Sequence, residues 1–239
     1  MKLHRFTLLA VLLAMPFAHA AEEEAEESPW SGIASFGYLA TSGNTENSSL
    51  NTKVEVGYTA GLWLHEAKAA AIYADESGST TSEAYDAGWK SSRNLTEQDF
   101  LFGRLDWRKD RFSAFDTQFS QTVGYGRRLI KSDRHSLDGE LGVGARQSER
   151  RDGSSLDETI FRGGLKYRWT LSDTSEFRQD LTVEAGGDNT FTESVTAISA
   201  RLIGGLALTA SYTIRNNSDV LPGIDKTDTF TAVSLEYGF

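Results

Sequence analysis

The chain of 239 residues contains no cysteine and only three prolines. Without cysteine there is neither a disulfide framework nor a thiolate metal site. No Pro/Gly/Ser-rich linker divides the chain, so it reads as one domain. Beyond residue 20 no apolar run reaches helix-spanning length, which excludes a transmembrane helix. Basic surface is lacking too. Leaving out Lys2 and Arg5, 22 Lys and Arg face 34 Asp and Glu, a formal charge of −12. That balance excludes nucleic acid as a partner. Histidine is scarce, with only His65 and His135 after residue 20. There is no His-x-x-x-His, and "RDGSSLDE" at 151–158 lacks the Asp spacing of a calcium loop. The glycines of "GYG" at 124–126 and "GVG" at 142–144 are followed by neither a helix pattern nor a lysine, so they are not phosphate loops. No metal and no cofactor are expected.

What the sequence does have begins at its N-terminus. Lys2 and Arg5 precede the apolar run "LLAVLLAMPF", and Ala18 and Ala20 occupy the small positions of a cleavage site. This is the pattern of a secretory signal peptide over 1–20, with Ala21 as the first mature residue. Residues 21–29, rich in glutamate, read as a solvated periplasmic segment. An exported domain without disulfides needs another source of stability.

From residue 30 onward, period-two alternation predicts strands near 30–41, 48–59, 63–74, 82–92, 98–109, 116–129, 135–148, 157–170, 175–187, 192–203, 206–216 and 227–239. Their length suits tilted strands crossing a bilayer. The connections alternate. Short ones at 60–62, 94–98, 131–134, 171–175 and 204–206 are interleaved with longer polar ones at 42–49, 75–83, 109–115, 149–157, 187–191 and 216–226. The expected fold is all-β: a transmembrane antiparallel up-and-down β-barrel of about twelve strands over 30–239, in the bacterial outer membrane, with outer-membrane lipids around it.

The two faces of each strand differ. Leu50, Val54, Val56 and Tyr58 alternate with Lys53, Glu55 and Gly57, and Phe161, Leu165, Tyr167 and Trp169 alternate with Arg162, Lys166 and Arg168. Aromatic residues gather at both ends of the strands, as membrane–water interfaces favour: Trp30, Tyr58, Trp63, Trp169, Phe177 and Phe239 near short turns, and Tyr73, Tyr85, Trp107, Phe119, Phe161 and Tyr212 near longer loops. The opposite face then lines the lumen. By parity its cations are Lys53, Lys68, Lys90, Arg104, Arg108 and Arg128, then Arg146, Arg162, Lys166, Arg168, Arg178, Arg201 and Arg215. Its carboxylates are Glu55, Glu66, Asp86, Asp106, Asp138 and Glu140, then Glu158, Asp180, Glu184 and Glu236. Opposite charges in so narrow a lumen are expected to pair and partly fill it.

The chain ends in the strand "TFTAVSLEYGF", whose Val233, Leu235, Tyr237 and Phe239 share one face. Left as an edge it would be a hazard, so it is expected to pair with the first strand and close the barrel. The same four residues are expected to be the assembly signal read by the barrel-assembly machinery. No catalytic constellation is expected, because both histidines follow short turns, away from the loop end where an outer-membrane hydrolase works.

The stretches "GYLATSGNTENSSLN" and "GYTAGLWLHEAKA", with the Tyr-Gly-Phe ending, resemble a YdiY-like family of salt-induced outer-membrane proteins. The resemblance runs over the whole mature chain. It implies an outer-membrane barrel in a stress-related envelope role, and supplies no catalytic residue. Two functions follow as expectations: an envelope barrel with at most small-solute permeability, or a specific channel for small charged or polar solutes. A lipid hydrolase is a distant third. The sequence leaves the solute and the oligomeric state open.

Overall fold

In the computed structural model, residues 28–41 and 47–239 are described. The signal peptide, most of the acidic segment and the Ser-Gly-Asn-Thr loop at 42–45 lie outside them. Twelve strands follow one another: β1 (Trp30–Thr41), β2 (Asn47–Ala60), β3 (Trp63–Glu76), β4 (Ser79–Asn94), β5 (Asp99–Asp110), β6 (Phe115–Lys131), β7 (His135–Arg150), β8 (Ser155–Ser172), β9 (Ser175–Ala185), β10 (Thr190–Ile203), β11 (Leu206–Asn217) and β12 (Thr227–Gly238). Each pairs antiparallel with its chain neighbours, and β12 returns to β1, so the sheet is a closed barrel. Proline sits only outside the strands here, at Pro29 and Pro222, where no ladder bond is lost.

The start of β1 at Trp30 and the last residue, Phe239, lie at one end, called here the terminal end, beside turns at 61–62, 95–98, 132–134, 173–174 and 204–205. The opposite, loop end carries connections at 77–78, 111–114, 151–154, 186–189 and 218–226. The difference in length is smaller than the alternation of connections implies. The expected nine-residue loop at 75–83 is instead a tight hairpin, with Ser77 at φ 51° and Gly78 at φ 82°. Two successive positive φ angles match the twist of the flanking strands, and the Asp75 carboxylate accepts the Gly78 N–H at 3.0 Å. The strands therefore run on through residues whose polarity suggests a loop.

The outward face is apolar. Val123, Leu141, Phe161, Ile203 and Val233 all stand exposed. A belt of this kind around a monomer requires a nonaqueous cover. Aromatic side chains fringe it at the terminal end. Trp30 packs on Tyr58 with ring centroids 4.5 Å apart, and His65 stacks between Trp63 and Trp89. At the seam, Gly32 and Phe239 exchange two backbone hydrogen bonds of 2.8 and 3.0 Å, and the Phe239 ring lies over Gly32 where any Cβ would collide with it.

The buried interior is polar. Arg146 and Glu184 are completely buried, as are Asn189 and Ile160, while Phe100, Phe102, Phe115 and Phe191 are nearly so. These side chains fill the barrel along the wall from β5 to β10. Gly124 and Gly126 of β6 make that filling possible, because the Phe102 and Phe100 rings occupy the space their side chains would take.

Candidate functional site

The lumen is the place where charge accumulates, and its organisation starts at Glu184. Its carboxylate receives Arg162 Nη1 at 3.0 Å, Ser120 Oγ at 3.2 Å, and Arg108 and Arg146 at 3.7 Å each. Side chains from β5, β6, β7 and β8 thus converge on one carboxylate of β9. Arg146 also reaches Glu158 at 2.7 Å and donates to the Asn189 carbonyl at 2.5 Å. Glu158 in turn accepts the backbone N–H groups of Asp188 and Asn189 at 2.7 and 2.9 Å, which draws the β9–β10 turn inward over the barrel. Asn189 completes the cover through Asn217, at 2.9 Å.

A second set of bonds crosses the lumen. Arg215 of β11 binds Asp86 of β4 and Glu193 of β10, both at 2.8 Å, and Phe230 lies under its guanidinium. Arg108 stacks on Phe191 at 4.2 Å from the ring centroid. Between these groups and Phe115 the remaining space is about 20 Å³, room for a single water. Paired charges and aromatic rings thus crowd the lumen at this part of the loop end. Nearby, Ser154 donates two hydrogen bonds to Asp152, holding that exposed carboxyl below the ordinary aspartate range.

On the terminal side of this cover lies a cavity of about 650 Å³. Its lining reaches from Asp86, Glu193 and Arg215 down to Glu236, Gly238 and Phe239. The wall formed by β4, β5, β7 and β8 presents Lys90, Arg104, Arg162, Lys166 and Arg168 against the carboxylates Asp86 and Glu140. Lys90 bonds Glu140, Arg104 bonds Asp106, and Arg168 bonds Asp180 at 2.6 Å. Lys68 reaches Asp106 at 3.3 Å from β3, Lys53 pairs with Glu55 at 2.9 Å on β2, and Arg178 pairs with Glu236 at 2.7 Å. Asp138 is half-buried on β7.

Two of the residues read by parity lie at the terminal rim. Arg128 donates to the Glu97 carbonyl and to Asn94 there, and Arg201 stands exposed where the β10–β11 register shifts. Glu193 is a lumen carboxylate that the parity reading omits, although it shares its face with Arg201, eight residues and four periods of the pleat along β10. The lumen-facing Phe100 and Phe102 are also absent from it, although they are in step with Arg104 and Arg108. Phe115 has no such signal, because a register shift separates it from Thr117.

The histidines face outward. His65 Nδ1 lies 3.0 Å from Ser91 Oγ, and His135 Nδ1 lies 2.9 Å from Tyr167 Oη. Among the described residues no carboxylate bonds the second nitrogen of either ring. The backbone N–H groups around Ser91 face the β3 and β5 ladders, so no preorganised oxyanion donors stand beside it. Among the described residues there is also no group of three or more His, Asp or Glu able to hold a metal ion.

Comparison with known proteins agrees with this geometry. A family model described as "Protein of unknown function, DUF481" matches residues 34–239. The uncharacterized protein YdiY of Escherichia coli K12 is 31% identical over 217 residues, covering 88% of this chain and 84% of that one. Among solved structures, the COG4313 outer membrane channel from Pseudomonas putida F1 superposes with a TM-score of 0.54 at 10% identity, covering 93% of this chain and 100% of that one. The translocator domain of the autotransporter NalP from Neisseria meningitidis gives 0.50 at 12% identity, with 90% of each chain covered. At these identities the likeness concerns the fold: this chain has the architecture of outer-membrane barrels.

Proposed function

The chain belongs to the DUF481 family, and from that premise we propose that it is an outer-membrane protein of the bacterial envelope whose lumen is a blind vestibule, closed at the loop end and facing the periplasm. The observation that carries this reading is the cross-lumen ion pair of Arg215 with Asp86, set against the Arg108–Phe191 stack. A barrel of twelve strands has a far narrower interior than a sixteen-stranded porin. Filled on one wall and bridged at one end, it passes at most small solutes. The refolded protein in planar bilayers is expected to show only small, rare conductance steps. Large steady currents would make it an open channel, the second reading, which the 650 Å³ cavity lined by both charge signs favours. A stress- or salt-related role accompanies the first reading on the strength of the family resemblance. It is tested by following the protein's abundance as sodium chloride in the growth medium rises.

Assembly through the barrel-assembly machinery belongs to the same proposal, with Val233, Leu235, Tyr237 and Phe239 as the segment it reads. Deleting Phe239 removes the ring over Gly32 and both terminal seam bonds. The outer-membrane level of the protein is expected to fall steeply in a fractionated immunoblot. Glu236→Gln, a lumen change on the same strand, is expected to leave it near normal. Equal losses in the two variants would refute a special role for the chain end.

A further inference from the structure

Most charges on the cavity wall are saturated by short bonds. The Arg168–Asp180, Arg178–Glu236, Arg215–Asp86 and Lys53–Glu55 pairs all close at 2.9 Å or less. Lys166 and Glu66 differ. Lys166 Nζ has Glu66 Oε1 as its salt-bridge partner, at 3.9 Å, and Glu66 otherwise has Lys90 at 3.6 Å. Neither separation is a hydrogen bond. Lys166 stands on β8 and Glu66 on β3, both line the cavity, and each side chain is more than a third exposed. An ammonium and a carboxylate from opposite walls thus meet inside the vestibule with their strongest hydrogen bonds unmade.

Thr209 lines the cavity but is only 2% exposed, and its hydroxyl, like Nε of Arg162 and of Arg178, is buried beyond the reach of an occupant. Beside them, Ile33, Ile72 and Val195 give the wall a small apolar surface.

From this arrangement we propose that the vestibule is a binding site for a small zwitterion, an amino acid or a related ammonium carboxylate, held between Lys166 and Glu66. Its carboxylate bonds Lys166 and its ammonium bonds Glu66, turning one loose ion pair into two charge-assisted hydrogen bonds. A simple anion meets Glu66, and a simple cation meets Lys166, so each single charge is opposed by one member of the pair. The neutralised basic groups of the wall argue against an anion site: Lys90 is bound to Glu140, Arg104 to Asp106, and Arg162 to Glu184.

This inference rests on the vestibule proposed above, and its test separates the two. Glycine is titrated calorimetrically into the refolded full chain in detergent, beside acetate, ethylammonium and acetamide at matched ionic strength. Glycine is expected to bind saturably while the other three do not. Glu66→Gln and Lys166→Gln are each expected to weaken glycine by about tenfold or more, the value of one lost charge-assisted bond. Lys131→Gln, on the exposed rim, is expected to change nothing. Faster migration of unboiled samples on gels shows that each variant has folded. Acetate binding as well as glycine, or no saturable binding by any probe, overturns the proposal. If the barrel conducts freely but glycine still binds through Glu66 and Lys166, the closed reading fails and the site stands. A silent barrel that ignores glycine gives the opposite outcome.

Discussion

Replacing Glu184 by alanine is expected to lower the stability of the folded barrel by about 3–5 kcal/mol, the cost of leaving buried charge without its partner. The size follows from the number of guanidinium groups involved. Arg108, Arg146 and Arg162 converge on this one carboxylate, and all three are buried. Arg146 would keep Glu158, and Arg108 a distant Asp86, but Arg162 would lose the carboxylate at 3.0 Å. Water has no easy access to replace it. Glu184→Gln should fall between wild type and alanine, since its single amide oxygen can still accept from Arg162 or from Ser120, which now bond different carboxylate oxygens, but it carries no charge. The comparison is Lys53→Met, which removes one member of a pair about 40% exposed and is expected to cost about 0–1 kcal/mol. Urea unfolding of the refolded protein in micelles measures all three. If the alanine variant at 184 unfolds no earlier than Lys53→Met, the convergence on Glu184 does not hold the β5–β9 wall together.

The second large effect is expected from Arg108→Ala combined with Arg215→Ala, read as conductance. On the proposed closed reading these two side chains separate the cavity from the loop end: Arg215 by spanning from β11 to Asp86, Arg108 by lying on Phe191. Truncating both removes the two longest stems around the one-water gap and frees the rings they cover. Asp86, Glu193 and Glu184 remain, so the opened passage loses two cations and keeps its carboxylates. Charge on a pore wall sets the local ion concentration. Current should therefore rise well above the wild-type level and prefer cations, measured as a reversal potential in a salt gradient. A folded double variant that remains silent would place the closure elsewhere in the lumen.

How far the sequence reveals this depends on which kind of contact is asked about. Period two is a local property, so twelve strands and their apolar and charged faces follow from it, with bounds such as 30–41 and 206–216 close to the observed Trp30–Thr41 and Leu206–Asn217. The Ser77–Gly78 hairpin escapes because polar residues on both sides look like loop, although Ser-Gly carries the two positive φ angles itself. Partners across the lumen escape for a deeper reason. Parity assigns Glu184 to the inside but cannot say that Arg108, four strands away, reaches it, because that depends on barrel width and shear. The lumen phenylalanines mislead in the same way. An aromatic residue in a membrane strand suggests lipid, whereas the Phe100 ring packs against Gly126 on the inside.

Among the described residues the seam between β1 and β12 has four register pairs, from Ile33↔Gly238 to Phe36↔Leu235, and beyond them the Gly32–Phe239 bonds, whereas every other ladder has at least eleven pairs. All those longer ladders join segments adjacent in the chain and can zip from their own turns. The seam alone joins residues at opposite ends of the sequence. Bringing such distant ends together costs about 3–4 kcal/mol more in chain entropy than closing a short hairpin, by the logarithmic rule for loops. The least rewarded contact is thus also the most expensive to form, so ring closure is expected to be the final act of folding. Before it, the chain would be a curled ribbon with two bare edges, open to a neighbouring copy as well as to itself. The Phe239 ring seated over Gly32 works as a clasp: it adds its contact at the one point where the ribbon must choose its own other end.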